Sequence, residues 1–363
     1  MQTPDLSNDA IRLLQRLIST PSLSREEDAT AEILVEFFNS KGINANRHLN
    51  NVWTLNKYFD ESKKTILLNS HHDTVKPTTA YTRDPYDAKI ENGKLFGLGS
   101  NDAGGSLVSL IACFLHFYES TDLPFNLIIS ATAEEEISGA NGIESLLPQL
   151  PDIYVAIVGE PTGMQVAVAE KGLMVIDCIA FGIAGHAARD EGENAIYKAI
   201  GDIEWFRHFE FDKLSAMLGP VKMNVTSIHT PNTAHNVVPS ECHFVVDVRA
   251  TDMYSLEEIL KIIREHVGCT VMPRTVRLKP SWISVNHPMV IAATRTDREL
   301  YGSPTLSDQA LLSVDSIKCG PGESERSHTA DEFIYLKEIE EGIEIYIRLL
   351  NEYSIISKQL NEL

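Results

Sequence analysis

The sequence predicts an α/β fold: a mixed, largely parallel sheet flanked by helices, with a smaller α+β domain of ferredoxin-like order inserted into it. Three observations predict it. Short apolar runs alternate with amphipathic helical stretches up to about residue 167 and again after Val285. Between these regions the texture changes to paired strands and two helices. The chain has 363 residues, too many for one compact core and comfortable for two. The expected division is 1–167 with 282–363 in the larger domain and 168–281 in the insert.

Ile11, Leu14, Leu17 and Ile18 place one apolar face on a first helix after Ser7, closed by Pro21. The spacing of Ser24 and Glu27 is that of a capping box, so a second helix is expected to start there, carrying Ile33, Leu34, Phe37 and Phe38 up to Gly42. Thr65 to Leu68 is a short apolar run that breaks into polar residues, as a buried strand does on emerging at a sheet edge. A helix from Gly104 to Tyr118 and strands at Asn126–Ser130 and Val155–Val158 continue the alternation. In the insert, Val166 to Ile183 reads as two strands joined at Lys171-Gly172. Helices over Asn194–Phe209 and Ser255–Val267 and strands at Asn224–His229 and Cys242–Thr251 complete it. A long last helix is expected from Asp331 past Leu350.

Composition excludes several classes. A formal net charge of −20 argues against nucleic acid or an anionic membrane as partner, since both need a cationic face. The apolar run near Leu107–Leu115 is too short to span a bilayer. The amino terminus lacks the cationic and apolar segments of a signal peptide, and five scattered cysteines form no CxxC pair. Reduced thiols in a cytoplasmic protein are the expectation.

Five polar clusters fall just after the strands of the larger domain, where an open α/β sheet gathers its ligand. They are His71-His72-Asp73, Ser100-Asn101-Asp102, Glu134-Glu135-Glu136, Gly159-Glu160-Pro161 and Ser327-His328-Thr329. Each alone has an ordinary reading: a buried histidine pair, a helix cap at Asp102, a solvated acidic run, a turn at Glu160, and a cap at His328 before the last helix, where Thr329-Ala330-Asp331-Glu332 has a capping-box pattern. Together they supply imidazoles and carboxylates without thiolates, a donor set for Zn²⁺ or a similar ion, and for two ions if a carboxylate bridges. Gly97-Leu98-Gly99 lacks the third glycine of a dinucleotide-binding turn, because position 102 is Asp.

The ordered set of motifs resembles the cocatalytic zinc hydrolases of the acetylornithine deacetylase and succinyl-diaminopimelate desuccinylase family, which also contains dipeptidases and aminoacylases. It runs from Ser70-His71-His72-Asp73-Thr74-Val75 through Gly97–Gly105, Thr132–Glu136, Gly159–Thr162, Gly185-His186-Ala187, Asn236–Pro239 and Asp247-Val248-Arg249 to Ser327–Glu332. The resemblance implies two Zn ions, with Co as a substitute, in the larger domain, and an inserted lid that often forms a homodimer. It implies His71, Asp102 and Glu160 as ligands of one metal and Asp102, Glu136 and His328 as ligands of the other. Asp73 matches the acid that orients His71, and Glu135 the general base. His72 falls on a variable position. The family commonly shows Asp-Glu-Glu where this chain has three glutamates, so a one-residue shift would make Glu134 the base and Glu135 the ligand. In the lid, His186 matches an oxyanion-stabilising residue, and Asn236 and Arg249 match substrate contacts. Arg249 also suits a carboxylate on general grounds, since its planar fork can bind both oxygens, and Lys171 is a weaker candidate for that charge. The Gly320-Pro321-Gly322 stretch is most similar to the acetylornithine deacetylase branch, which implies deacylation of N-acetylornithine, or of N-acetyl- or N-succinyl-citrulline or -ornithine, in arginine biosynthesis. A dipeptidase, a tripeptidase or succinyl-diaminopimelate desuccinylase with the same metal centre is the alternative.

Overall fold

The computed structural model describes residues 3–189 and 191–361, and the chain divides into two compact units. The first takes the described residues through Val168, Ile283–Tyr301 and the chain from Ser307; the second takes Ala169–Trp282 with Gly302–Leu306.

The first unit is built on a sheet of mixed direction. Seven of its strands lie in the order Asn46–His48, Asn51–Leu55, Asn126–Thr132, Thr65–His71, Val155–Val158, Asp315–Lys318, Val166–Glu170. The four central strands run parallel to one another, whereas the pairs at either edge are antiparallel. Every residue of Thr65–His71, Asn126–Thr132 and Val155–Val158 is buried. This explains the unbroken apolar runs in the sequence, because a parallel sheet is covered on both faces. The register sets His71 opposite Thr132, so the segments leaving these two strands emerge side by side.

Helices complete the layers. Thr3–Ile18 buries Leu6, Ala10, Leu13, Leu14 and Leu17, one face at helical spacing. It begins ahead of Ser7, the expected start. Gly105–Phe117 is buried all round except at His116 and packs against both the first helix and the last, Leu336–Asn361.

Two capping boxes expected from the sequence do not form. The second helix spans Asp28–Ser40, and the Ser24 hydroxyl donates to the Asp73 carboxylate at 2.7 Å instead of capping it. Glu27 is wholly buried and accepts from the amides of Arg25 and Glu134 and from the Asn50 side chain. The last helix starts at Leu336 rather than Asp331, because Phe333–Tyr335 forms a strand on Lys94–Phe96.

The second unit is an antiparallel sheet in the order Lys222–His229, Glu241–Ala250, Gly172–Phe181, Thr270–Pro273. Burial alternates residue by residue along its two inner strands, so one face is apolar. Met174, Ile176, Cys178, Phe244, Val246 and Val248 on that face pack with Ala199 and Phe206 of the Ala195–His208 helix and Ile259 and Ile263 of the Leu256–His266 helix. The latter helix carries a complete capping box between Ser255 and Glu258.

Candidate metal centre

Parallel strands deliver the functional side chains at their carboxyl ends. His71 is the last residue of its strand and is 1% exposed. Its Nδ1 lies 3.0 Å from the Asp73 carbonyl oxygen and 3.5 Å from Asp73 Oδ1. Its Nε2 is buried without a hydrogen-bond partner and faces Asp102 Oδ1 at 3.4 Å, Glu160 Oε1 at 3.8 Å and Glu135 Oε2 at 3.9 Å. On the far side of Asp102, Oδ2 is 3.5 Å from His328 Nε2, which lies 2.9 Å from Glu136 Oε2. Asp102 therefore presents one oxygen to each imidazole. His71 with Asp102 and Glu136, and His71 with Glu135 and Glu160, each bring their ligand atoms within 4.8 Å of one another.

The backbone explains which glutamates face inward. Glu134 sits at φ +53°, a left-handed turn unusual for a residue with a Cβ. Its carboxylate points away, accepting from the side chain and amide of Asn141. The next two amides, of Glu135 and Glu136, donate to Oδ1 and Oδ2 of Asp73 at 3.0 and 3.2 Å. Asp73 thus anchors the His71 segment and the glutamate turn together. His72 points elsewhere: Nδ1 is 2.9 Å from Thr30 Oγ1 and Nε2 2.9 Å from the Asn50 carbonyl. Asp102 does not cap the helix beyond it, and its peptide bond to Ala103 is cis.

Charge is badly out of balance here. Five carboxylates (Asp73, Asp102, Glu135, Glu136, Glu160) and two imidazoles converge, so even two protonated rings leave an anionic excess. Burial pushes Glu135 and Glu160 well above the usual carboxylate range, and it raises Glu136 against the pull of His328. Burial also opposes charge on His71, but Glu135, Asp102 and Asp73 outweigh it and hold that imidazole well above its ordinary pKa. His328 is pushed up to about 9, chiefly by its hydrogen bond to Glu136. A buried anionic cluster is costly unless cations pair with it. The donor set, nitrogen and oxygen only, together with the orphaned His71 Nε2, fits divalent metal.

Sequence reasoning missed Glu332, read as part of a helix cap. It is 2% exposed, and its carboxylate accepts from the amides of Gly99, Asn101 and Asp102. Burial first, then the neighbouring Asp102 charge, pushes it up to about 8. The spacing His328-x₃-Glu332 carried no local signal for this role.

The second unit holds the other singled-out residues. His186 is exposed on a two-residue strand paired with Val237–Val238, and its Nδ1 accepts from the Ala188 amide. Asn236 adjoins it through its carbonyl, which accepts from Ala187. Arg249 binds Asp247 with both ends of its fork, at 2.8 and 3.1 Å. Lys171 is 8% exposed, with its ammonium 3.5 Å from the Pro220 carbonyl. Burial lowers its pKa, and the like charges of Lys222 and Arg249 lower it further. Lys222 pairs directly opposite Arg249 in the sheet. These cations form a cluster that the sequence revealed only in part.

Among known proteins, residues 67–352 match the family model described as peptidase family M20/M25/M40. The succinyl-diaminopimelate desuccinylase of Helicobacter pylori (strain HPAG1) is 26% identical over 388 residues, covering 95% of this chain and 99% of that protein. A Sulfolobus solfataricus M20 family metallo-carboxypeptidase superposes with a TM-score of 0.75 at 18% identity, covering 95% of this chain and 99% of that one. A Staphylococcus aureus tripeptidase gives 0.75 at 19% identity, covering 99% and 100%. With the family model matched over most of its length, the chain belongs to peptidase family M20/M25/M40 and is a metal-dependent hydrolase.

Proposed function

We propose that the chain hydrolyses the amide bond of an N-acyl amino acid bearing more than one carboxylate, with an N-succinyl amino acid of the succinyl-diaminopimelate type as the first candidate. The observation that carries the hydrolytic reading is the unpartnered His71 Nε2 facing three carboxylates, with Asp102 shared towards His328. Two features favour a polyanionic substrate over N-acetylornithine. Relatives matched over most of the chain include succinyl-diaminopimelate desuccinylases, and Lys222 and the Asp247-bound Arg249 add positive charge beside the buried Lys171 ammonium, which has no carboxylate partner among the described residues.

His71, Asp102 and Glu160 would hold one zinc and Asp102, Glu136 and His328 a second, with cobalt able to substitute. Bound there, the pair would polarise the scissile carbonyl and acidify water. Asp73 keeps the His71 ring turned by lying behind Nδ1 and fixes the backbone from which Glu135 and Glu136 project. Glu135 takes a proton from the attacking water, whose oxygen bonds to the acyl carbon. It passes that proton to the nitrogen as the C–N bond breaks, and the proton left on the new acyl oxygen moves to the released amine, giving a carboxylate and an ammonium. His186 donates to the developing oxyanion, and Asn236, Arg249 and Lys171 contact the substrate.

The second unit serves as lid and dimerisation domain in this reading. Its edge strand Lys222–His229 leaves Ile228 exposed, and Tyr197 and Ile200 are exposed on the adjacent helix. Sedimentation at micromolar concentration is expected to show a homodimer; a monomer would remove that element. Five free cysteines fit a cytoplasmic protein, and no described helix is long and apolar enough to cross a membrane. Steady-state kinetics of the zinc-loaded chain on N-succinyl-diaminopimelate, N-acetylornithine and simple dipeptides test the substrate class. The expected order has the succinyl substrate first by at least tenfold in kcat/KM. Turnover of dipeptides alone would overturn the deacylase reading.

A further inference from the structure

The Gly97–Asp102 turn closes only one of its amides on itself, Ser100 onto the Gly97 carbonyl. Gly97 and Gly99 take φ of +141° and +76°, and a Cβ at either would strike Ile18 or Thr74. Asp102 itself lies at φ −115° and ψ 100°, outside helical geometry. A buried amide left without an acceptor here would lose its hydration with nothing in return.

The Leu98 amide donates to the Pro85 carbonyl and the Ser100 amide to the Gly97 carbonyl, and one residue supplies acceptors for the other four. Glu332 Oε2 accepts from the Gly99 amide at 3.0 Å, and Oε1 from Asn101 and Asp102 at 2.8 and 2.9 Å. Its main-chain oxygen accepts from Gly97 at 2.9 Å. At the end of this turn the Asp102 carboxylate reaches His71 Nε2 on one side and His328 Nε2 on the other. His328 stands four residues before Glu332 in the chain. The same short segment thus supplies one face of the centre and the clamp on the residue at its middle.

We propose that Glu332 is the positioning residue of the centre: by gathering four amides of the Gly97–Asp102 turn it sets the Asp102 carboxylate midway between His71 and His328. This rests on the metal reading of the site. The neighbouring Asp331 is a comparison built into the fold. Its carboxylate accepts from the Thr82 hydroxyl and the amides of Thr82 and Arg83, and holds a different loop.

The test uses the full chain as wild type, Glu332→Gln, Glu332→Asp and Asp331→Asn, titrated with Co²⁺ and followed by calorimetry and visible absorption. Glu332→Gln turns an acceptor into a donor facing backbone N–H groups. It is expected to weaken Co²⁺ binding about 10- to 100-fold, the range for residues that orient metal ligands, and to alter the absorption spectrum. It should lower kcat with KM changed less than threefold. Asp331→Asn should lower the Tm yet keep Co²⁺ affinity within about twofold, which a merely structural role for the segment would not allow. Glu332→Asp keeps the charge on a shorter arm and should lie between; where Glu332→Gln does not fold, an affinity at least threefold below wild type in Glu332→Asp supports the proposal. Wild-type affinity and spectrum in the Glu332 variants, or equal weakening by Asp331→Asn, overturn it. A wild-type chain that takes up no Co²⁺ overturns the metal reading itself, a result distinct from either.

Discussion

Asp73→Asn tests how one carboxylate organises two segments. Asp73 Oδ1 accepts from the Glu135 amide at 3.0 Å, and Oδ2 from the Ser24 hydroxyl at 2.7 Å and the Glu136 amide at 3.2 Å. An asparagine has one oxygen. Whichever way its amide turns, its NH₂ must face a backbone N–H, while the Ser24 hydroxyl can rotate to accept. At least one hydrogen bond to a charged acceptor is therefore lost in a residue only 1% exposed. Such a bond contributes about 1.5–3 kcal/mol. At about 2–4 °C per kcal/mol for a unit of this size, the expected fall in Tm is roughly 3–12 °C. The His71 ring also loses the negative charge behind Nδ1, so metal affinity should fall about 10- to 100-fold. Calorimetry reads both quantities on one preparation. A variant within about 1 °C of wild type and with unchanged metal affinity would refute the reasoning.

The same geometry sets other outcomes. Glu135→Ala should retain metal and lose at least ~100-fold in kcat, as expected for a general base, whereas His71→Ala or Asp102→Ala should lose metal as well; equal metal loss in all three would contradict the division of roles. His72 gives a pH dependence. Burial lowers its pKa from 6.5 to about 4, so the folded state resists a proton that the unfolded chain accepts. Stability is then full above about pH 6.5 and falls as pH drops towards 4, by about 3 kcal/mol in all. Urea titrations across that window should show the loss, and His72→Gln should flatten it; an unchanged slope would contradict a buried neutral ring. Arg249→Lys should raise KM for a succinyl substrate at least fivefold with kcat nearly kept, because an ammonium cannot present the planar fork. Equal effects on an uncharged acyl substrate would argue for a purely structural bond to Asp247.

The sheet and the polar clusters at its edge were legible because burial writes them plainly. Thr65–Leu68 is apolar where the sheet is covered on both faces, and the polar Asn69-Ser70-His71 that follows is still strand, ending at the carboxyl edge where His71 enters the site. The misreadings share a cause. Ser24 with Glu27, and Thr329 with Glu332, have the spacing of local caps, yet their partners lie far along the chain. Ser24 reaches Asp73 across 49 residues, Glu27 accepts from Glu134 across 107, and Glu332 accepts from Gly99 across 233. A capping pattern fixes which groups can hydrogen-bond, and tertiary structure decides with what. Ser255–Glu258, exposed on the second unit with no such competitor, keeps its local box. The three-glutamate turn was ambiguous for a related reason. A left-handed residue at Glu134 decides which carboxylates face inward, and nothing in Glu-Glu-Glu marks it. Lys222 escaped notice because its proximity to Lys171 and Arg249 exists only once the strands pair.

The central claim is that Asp102 is shared between two metal sites, one beside His71 and Glu160 and one beside His328 and Glu136. Anomalous diffraction at the zinc edge, from crystals of the chain purified without chelator and supplied with Zn²⁺, tests it most directly. The account predicts two anomalous peaks flanking the Asp102 carboxylate, each about 2.0–2.2 Å from its nitrogen and oxygen ligands. Peaks absent from this cluster, or a single ion bound through Glu134 or His72, would contradict it.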